Sequence, residues 1–261
     1  MNFSSTLISS GAFGTVHKNK YFNPSTGTTI DSAIKCVPLP KSRYNRSYIV
    51  DIFSEVAALE LLSKTKSGGF VEILDYGVSR DVGYCIVMKC YSKTLKQWRL
   101  GWDTDDVLEN KENEHLRRKS KNDLLKHCLE YFKMVVASVY EMHKNGVCHY
   151  DLKCDNVLLS SDNSCIKIVD FGEAHVRPGW HGQNMYSTVD RGTECVKSPE
   201  MLTVCHAGNK NRDEYDRRRK NGKYYPLPLP YMANLLTRLF IHLLISPSSG
   251  TNAQSDIWSL G

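Results

Sequence analysis

The chain has 261 residues, 41% of them hydrophobic and 24% charged, which suits one large core or two smaller ones and is ordinary for a globular protein. A formal net charge of +6 does not make a nucleic-acid face: residues 111–121 carry +3 and residues 210–223 carry +4, leaving −1 for everything else. Nine cysteines without a C-x-x-C pair argue against zinc or dithiol chemistry and for reduced thiols in the cytoplasm, with the nucleus as the alternative compartment.

In chain order, Met1 to Ser10 lacks the charged start and apolar run of a secretory signal. Residues 1–37 read as β-rich, with a turn at Gly11 to Val16 between short strands and an alternating strand over Ser32 to Val37. Ile49, Ile52, Phe53, Val56, Leu59 and Leu62 predict a helix over 49–62. Strands are expected at Val71 to Leu74 and Tyr84 to Met88, around a turn at Ser79 to Gly83. The basic run 111–121 reads as a solvated loop, with a docking site for an acidic partner as the second reading.

Leu125, Cys128, Leu129, Phe132, Val135, Val136, Val139 and Met142 predict a long amphipathic helix over 124–143. Two short strands follow at 157–159 and 166–169, split by a polar turn at Ser160 to Ser164, and then mostly loop until Asp256. Within that loop, 210–223 is a second solvated basic run, with acidic-partner docking or a localisation signal at Arg217 to Lys220 as its other readings. Tyr231 to Ile245 is apolar but interrupted by Asn234, Arg238 and His242, and it falls short of the roughly 20 residues a bilayer span needs, so no membrane association is expected.

Three segments carry chemistry. Ile8-Ser9-Ser10-Gly11-Ala12-Phe13-Gly14-Thr15-Val16 is a glycine turn whose backbone amides could approach phosphate oxygens, although in isolation a plain hairpin turn is the better reading. Lys35 lies in the apolar strand Ala33-Ile34-Lys35, and a lysine there needs a partner; Glu55 on the next helix is a candidate. His149-Tyr150-Asp151-Leu152-Lys153-Cys154-Asp155-Asn156 and Asp170-Phe171-Gly172 supply what phosphoryl transfer requires. Asp151 offers a carboxylate for the attacking hydroxyl, Lys153 a positive charge, and Asn156 and Asp170 hard oxygen ligands for magnesium.

In order and spacing these motifs resemble the eukaryotic protein kinase family. Its H-R-D-L-K-x-x-N pattern matches His149 to Asn156 except at Tyr150, and D-F-G matches Asp170 to Gly172. The resemblance implies an α+β bilobal kinase fold: a small β-rich N-lobe (1–88) with one helix, a hinge at 89–91, and a larger, mainly helical, incomplete C-lobe (92–261) with an atypical insertion at about 204–252. It implies ATP and Mg2+ as cofactors and protein substrates as partners. Ile8, Ser9, Gly11, Ala12, Phe13, Gly14, Val16, Ala33, Lys35, Met88, Lys89, Cys90 and Leu158 would meet ATP. Asp151, Lys153, Lys35 and Glu55 would be catalytic, and Asn156 and Asp170 would hold the metal. Leu59, Ile73, His149 and Phe171 would stack into the family's regulatory spine. Ser198-Pro199-Glu200 resembles A-P-E, Gly192-Thr193 resembles the segment shaping the substrate site, and Asp256 to Gly261 resembles the start of a central helix. Lys153 together with Thr193 resembles the serine/threonine branch.

The departures matter as much. Ser9 stands in place of the first loop glycine, and Tyr150 in place of the arginine that grips an activation-loop phosphate, so control through Thr188 or Thr193 phosphorylation is not expected. The stretch from Glu200 to Asp256 reads as a partner-binding insertion or a retained intron. The family pattern continues past Gly261 with the usual partner of Glu200, so the chain is expected to be unstable by itself. A pseudokinase or scaffold, or an inactive truncated gene product, is the alternative function.

Overall fold

The computed structural model describes residues 6–11, 14–39, 46–65, 68–104, 114–176, 192, 193, 197 and 253–260. The chain forms two compact units, Met1–Ser138 with Cys154–Gly172, and Val139–Lys153 with Glu173–Gly261. The expected hinge, 89–91, lies inside the first unit.

The first unit opens with strands β1 (Thr6–Gly11), β2 (Gly14–Asn23) and β3 (Thr28–Val37), helix α1 (Arg46–Ser63), and strands β4 (Ile73–Ser79) and β5 (Gly83–Lys89). The strands form one antiparallel sheet in the order β1-β2-β3-β5-β4. On α1, Ile52, Glu55, Val56, Leu59 and Leu62 recur at three- and four-residue steps and are all buried. The helix ends where Thr65 turns back to bond Leu62 O through both its backbone N (3.0 Å) and its hydroxyl (2.7 Å).

β4 starts two residues later than the strand expected from Val71. Val71 N instead donates to Ile168 O at 3.1 Å, and Ile168 N donates to Gly69 O at 2.8 Å, so this stretch pairs locally with a distant segment.

After β5 come β6 (Lys93–Thr94), α2 (Leu95–Thr104) and α3 (Glu114–Lys144). Thr94 Oγ1 accepts from Gln97 N at 3.0 Å and Gln97 Oε1 accepts from Thr94 N at 2.9 Å, a reciprocal capping box that starts α2. Trp98 packs edge-on against Tyr131 of α3, with ring centroids 4.9 Å apart. The loop expected over the basic run 111–121 is corrected in part: from Glu114 the backbone is helical. Leucine, arginine and lysine are good helix formers, and neither glycine nor proline intervenes before Leu124. At its other end α3 closes on Gly146, at φ +73°, whose N donates to His143 O at 2.9 Å.

β7 (Val147–Cys148), a 3-10 turn at Cys154–Asn156, β8 (Val157–Leu159), β9 (Ile166–Ile168), a second 3-10 turn at Phe171–Glu173, β10 (His175–Val176) and α4 (Ala253–Leu260) complete the described elements. β6, β8 and β9 form a small sheet in the first unit, and β7 pairs with β10 in the second. No described helix is long and apolar enough to cross a membrane. The span 204–252, including the apolar stretch 231–245, lies outside the described residues.

Candidate active site

In the first unit the sheet register sets residues opposite one another before any side chain is considered. Val16 faces Lys35 across β2 and β3, and Ala33 faces Met88 across β3 and β5. Ile8 and Ser9 lie exposed on β1, Lys89 ends β5, Cys90 follows it, and Leu158 sits on β8. Gly14, at φ +139°, begins β2 where a Cβ would run into the carbonyl oxygen of Cys36, so only glycine fits. At Gly11 a Cβ would meet nothing within 4 Å. Ala12 and Phe13 lie outside the described residues.

Lys35 is the centre of this group. Its Nζ donates to Glu55 Oε1 at 2.7 Å, to Glu55 Oε2 at 2.9 Å and to Asp170 Oδ1 at 2.7 Å. Lys35 and Glu55 are 6% and 3% exposed, whereas the Asp170 side chain keeps 41%. Burial by itself would lower the Lys35 pKa. The charges of Glu55 and Asp170 outweigh it and hold the ammonium above its ordinary value. Asp170 adopts φ +63°, uncommon for a non-glycine residue. A Cβ on the following Gly172 would sit 3.3 Å from Lys35 Nζ, so a small residue lets the three charges close together. Asn156 is buried at the end of its 3-10 turn, and its backbone O accepts from Val169 N at 3.0 Å, joining the turn to the residue before Asp170.

The second unit holds another group. Asp151, 7% exposed, accepts from Thr193 N at Oδ1 (2.8 Å) and from Lys153 Nζ at Oδ2 (2.7 Å). Lys153 also donates to Thr193 Oγ1 at 2.6 Å. Gly192, at φ +83°, has no room for a Cβ because the carbonyl oxygen of Tyr150 occupies that position, which explains glycine immediately before Thr193.

Beneath this group stands fully buried Asp256, which accepts from His149 N (2.8 Å), Tyr150 N (2.6 Å) and His143 Nε2 (2.9 Å). These bonds hold Tyr150 at φ +66°. The supporting roles of His143 and Asp256 were not visible in the sequence. Asp256 lies more than 100 residues from its partners, and its one local sign is a single acid opening the apolar run Ile257-Trp258. Glu200 and Thr188 lie outside the described residues.

The donor set fits a nucleotide and a hard cation. A fixed ammonium stands beside a half-exposed carboxylate, an amide oxygen lies on the adjoining turn, and Gly11 and Gly14 end β1 and begin β2.

Comparison with known proteins agrees with this chemistry. The chain is 31% identical over 273 aligned residues to a probable serine/threonine-protein kinase of Dictyostelium discoideum, covering 97% of this chain and 9% of that protein. It is 26% identical over 212 residues to serine/threonine-protein kinase ULK3 of Rattus norvegicus, covering 81% of this chain and 37% of ULK3. It is 28% identical over 184 residues to the probable serine/threonine-protein kinase HSL1 of Saccharomyces cerevisiae, covering 64% of this chain and 12% of that protein. The chain therefore spans a minor part of each relative's length. The family model of the protein kinase domain matches residues 4–216, and the chain belongs to the protein kinase family, whose members use ATP and a divalent metal.

Proposed function

We propose that this chain transfers the γ-phosphoryl group of ATP to serine or threonine hydroxyls of protein substrates. The observation that carries this reading is Lys35, buried and bonded at 2.7 Å to both Glu55 and Asp170, which fixes an ammonium beside a half-exposed carboxylate. The ammonium is placed to meet phosphate oxygens, and Glu55 fixes its position. Asp151 accepts the proton of the substrate hydroxyl at its carboxylate, oriented by Thr193 N and Lys153. Lys153 brings positive charge to the phosphoryl group in transit. Asn156 and Asp170 would hold magnesium, which when bound neutralises charge developing on the phosphate oxygens. Thr193 beside Lys153 supports hydroxyl substrates of the serine/threonine kind, in line with the names of the relatives.

Docking of an acidic partner on 111–121 and 210–223 belongs to the same reading and is supported by their charges of +3 and +4.

The test compares the chain with Asp151→Asn in a phosphotransfer assay on serine/threonine peptides. The variant is expected to lose about 10²–10⁴-fold in rate. Equal signal from the two proteins would overturn the proposal.

A further inference from the structure

Cys36 and Cys85 face each other across β3 and β5. Their sulfurs lie 4.0 Å apart, and both are thiols in this structure. The register determines the kind of pair they make. Ser32 lies opposite Lys89, which sets Asp31 opposite Cys90, and Cys90 N donates to Asp31 O at 3.1 Å. Asp31 and Cys90 are therefore a hydrogen-bonded pair. Such positions alternate with non-hydrogen-bonded ones along an antiparallel ladder. The register runs from Ser32 to Val37 without a bulge, so Cys36, an odd number of steps beyond Asp31, falls at a non-hydrogen-bonded position. Opposed Cα atoms there approach to about 4.5 Å and the side chains lie closest. That spacing falls within the range a disulfide bridges without moving the backbone.

We propose that Cys36 and Cys85 form a reversible oxidation site, in which a cross-strand disulfide pins β3 to β5 beside Lys35. The oxidant is a peroxide. Cys85 is the half-buried member and the one a small oxidant reaches, whereas Cys36 is 7% exposed. Burial, and then the neighbouring Cys85, push the Cys36 thiol up to about 11, so Cys36 is the poorer first nucleophile and the peroxide meets Cys85 first.

The Cys85 sulfur attacks the peroxide O–O bond, forming a sulfenic acid and releasing one water. The Cys36 sulfur then attacks the sulfenic sulfur, the S–S bond forms, and the hydroxyl leaves with the Cys36 proton as a second water. Two electrons pass from the two sulfurs to the peroxide. Successive side chains on a strand alternate faces, so the bond forms on the side of β3 opposite Lys35 and leaves the Lys35–Glu55 pair in place. The chain between the two cysteines contains all of α1 and β4, and the closed bond limits the conformations of that stretch in the unfolded state.

Trypsin isolates each cysteine in its own peptide, 36–41 and 81–89. The whole chain is treated with hydrogen peroxide, alkylated with N-ethylmaleimide in denaturant, digested without reduction and mapped by mass. The expected result is these two peptides joined, at a mass two hydrogens below their sum, and separated again by dithiothreitol. The oxidised chain should melt about 5 °C or more above the reduced chain. Cys85→Ala, at the half-buried position, should abolish both the linked pair and the thermal shift. Recovery of both peptides as alkylated thiols, or a linked pair with an unchanged melting temperature, would overturn the proposal.

Discussion

Thr193 donates its backbone N–H to Asp151 Oδ1 at 2.8 Å, while its hydroxyl accepts from Lys153 Nζ at 2.6 Å. One residue thus aims the carboxylate through its main chain and the ammonium through its side chain, and substitution can separate the two. Thr193→Val keeps the first bond and removes the second. It should lower kcat about tenfold, the usual size of a lost hydrogen bond to a charged group, and leave KM for ATP unchanged. Thr193→Ser should stay within about twofold of the parent. Steady-state kinetics on a peptide substrate checks both; a valine variant as fast as the serine one would remove the hydroxyl from the mechanism.

The Lys35 cluster predicts a non-additive pair. Lys35→Met takes away the cation that Glu55 and Asp170 share, and should destabilise the fold by about 3–5 kcal/mol. Glu55→Gln should cost less, because the amide oxygen can still accept from Lys35. The double variant should be more stable than the sum of the singles implies, since no buried carboxylate then remains at position 55. Urea denaturation of the four proteins gives the cycle. Phosphotransfer should fail in both variants lacking Lys35, whatever their stability.

Stability should fall on the alkaline side. Burial and Cys85 raise Cys36 to about 11, burial and then Glu72 raise Tyr91 to about 12, and burial followed by Asp256 raises Cys148 well above the ordinary thiol value. Above about pH 9 the unfolded chain has shed protons that the folded chain keeps. The unfolded state then binds fewer protons, so the free energy of unfolding declines as pH rises through that window. Lys35 has the same sign, its contribution being lost as pH passes its raised folded value. Urea midpoints under dithiothreitol should therefore drop between about pH 8 and pH 10, and Cys36→Ala should shallow the slope.

Tyr150 predicts independence from phosphate. The family places an arginine here to grip a phosphorylated loop, whereas this tyrosine is 3% exposed and carries no positive charge. Phosphatase treatment to a single unphosphorylated mass should leave the initial rate within about twofold. A collapse in rate on loss of phosphate would show another cationic contact to be in control.

What the sequence revealed depended on how local each signal was. Lys35 was legible because a lysine in an apolar strand needs a counter-charge, and Glu55 lay on the next helix. The long helix was legible from its apolar stripe, buried at Val135, Val136, Val139 and Met142 but exposed at Leu125 and Leu129, whereas its start at Glu114 was not, because the first turns carry charges with no apolar period. The Thr94-x-x-Gln97 capping box announced α2 and passed unread, since Gly101 and scattered tryptophans obscured the period behind it. The strand expected over Val71 to Leu74 was legible from Ile73 on, but Val71 pairs with Ile168 instead, a partner that no local pattern can name. Asp256 was hidden for the same reason: its meaning is wholly in what it bonds.

That aspartate also sets an order of events in synthesis. His149 and Tyr150 precede Asp256 by 107 and 106 residues, and at roughly 5–20 residues per second a ribosome needs several seconds or more to cover that distance. Until Asp256 emerges, nothing it supplies can hold Tyr150 at its positive φ, so the loop bearing Asp151 takes its final shape late. A nascent chain arrested before Asp256 would already contain Lys35, Glu55 and Asp170 yet lack the anchor beneath Tyr150.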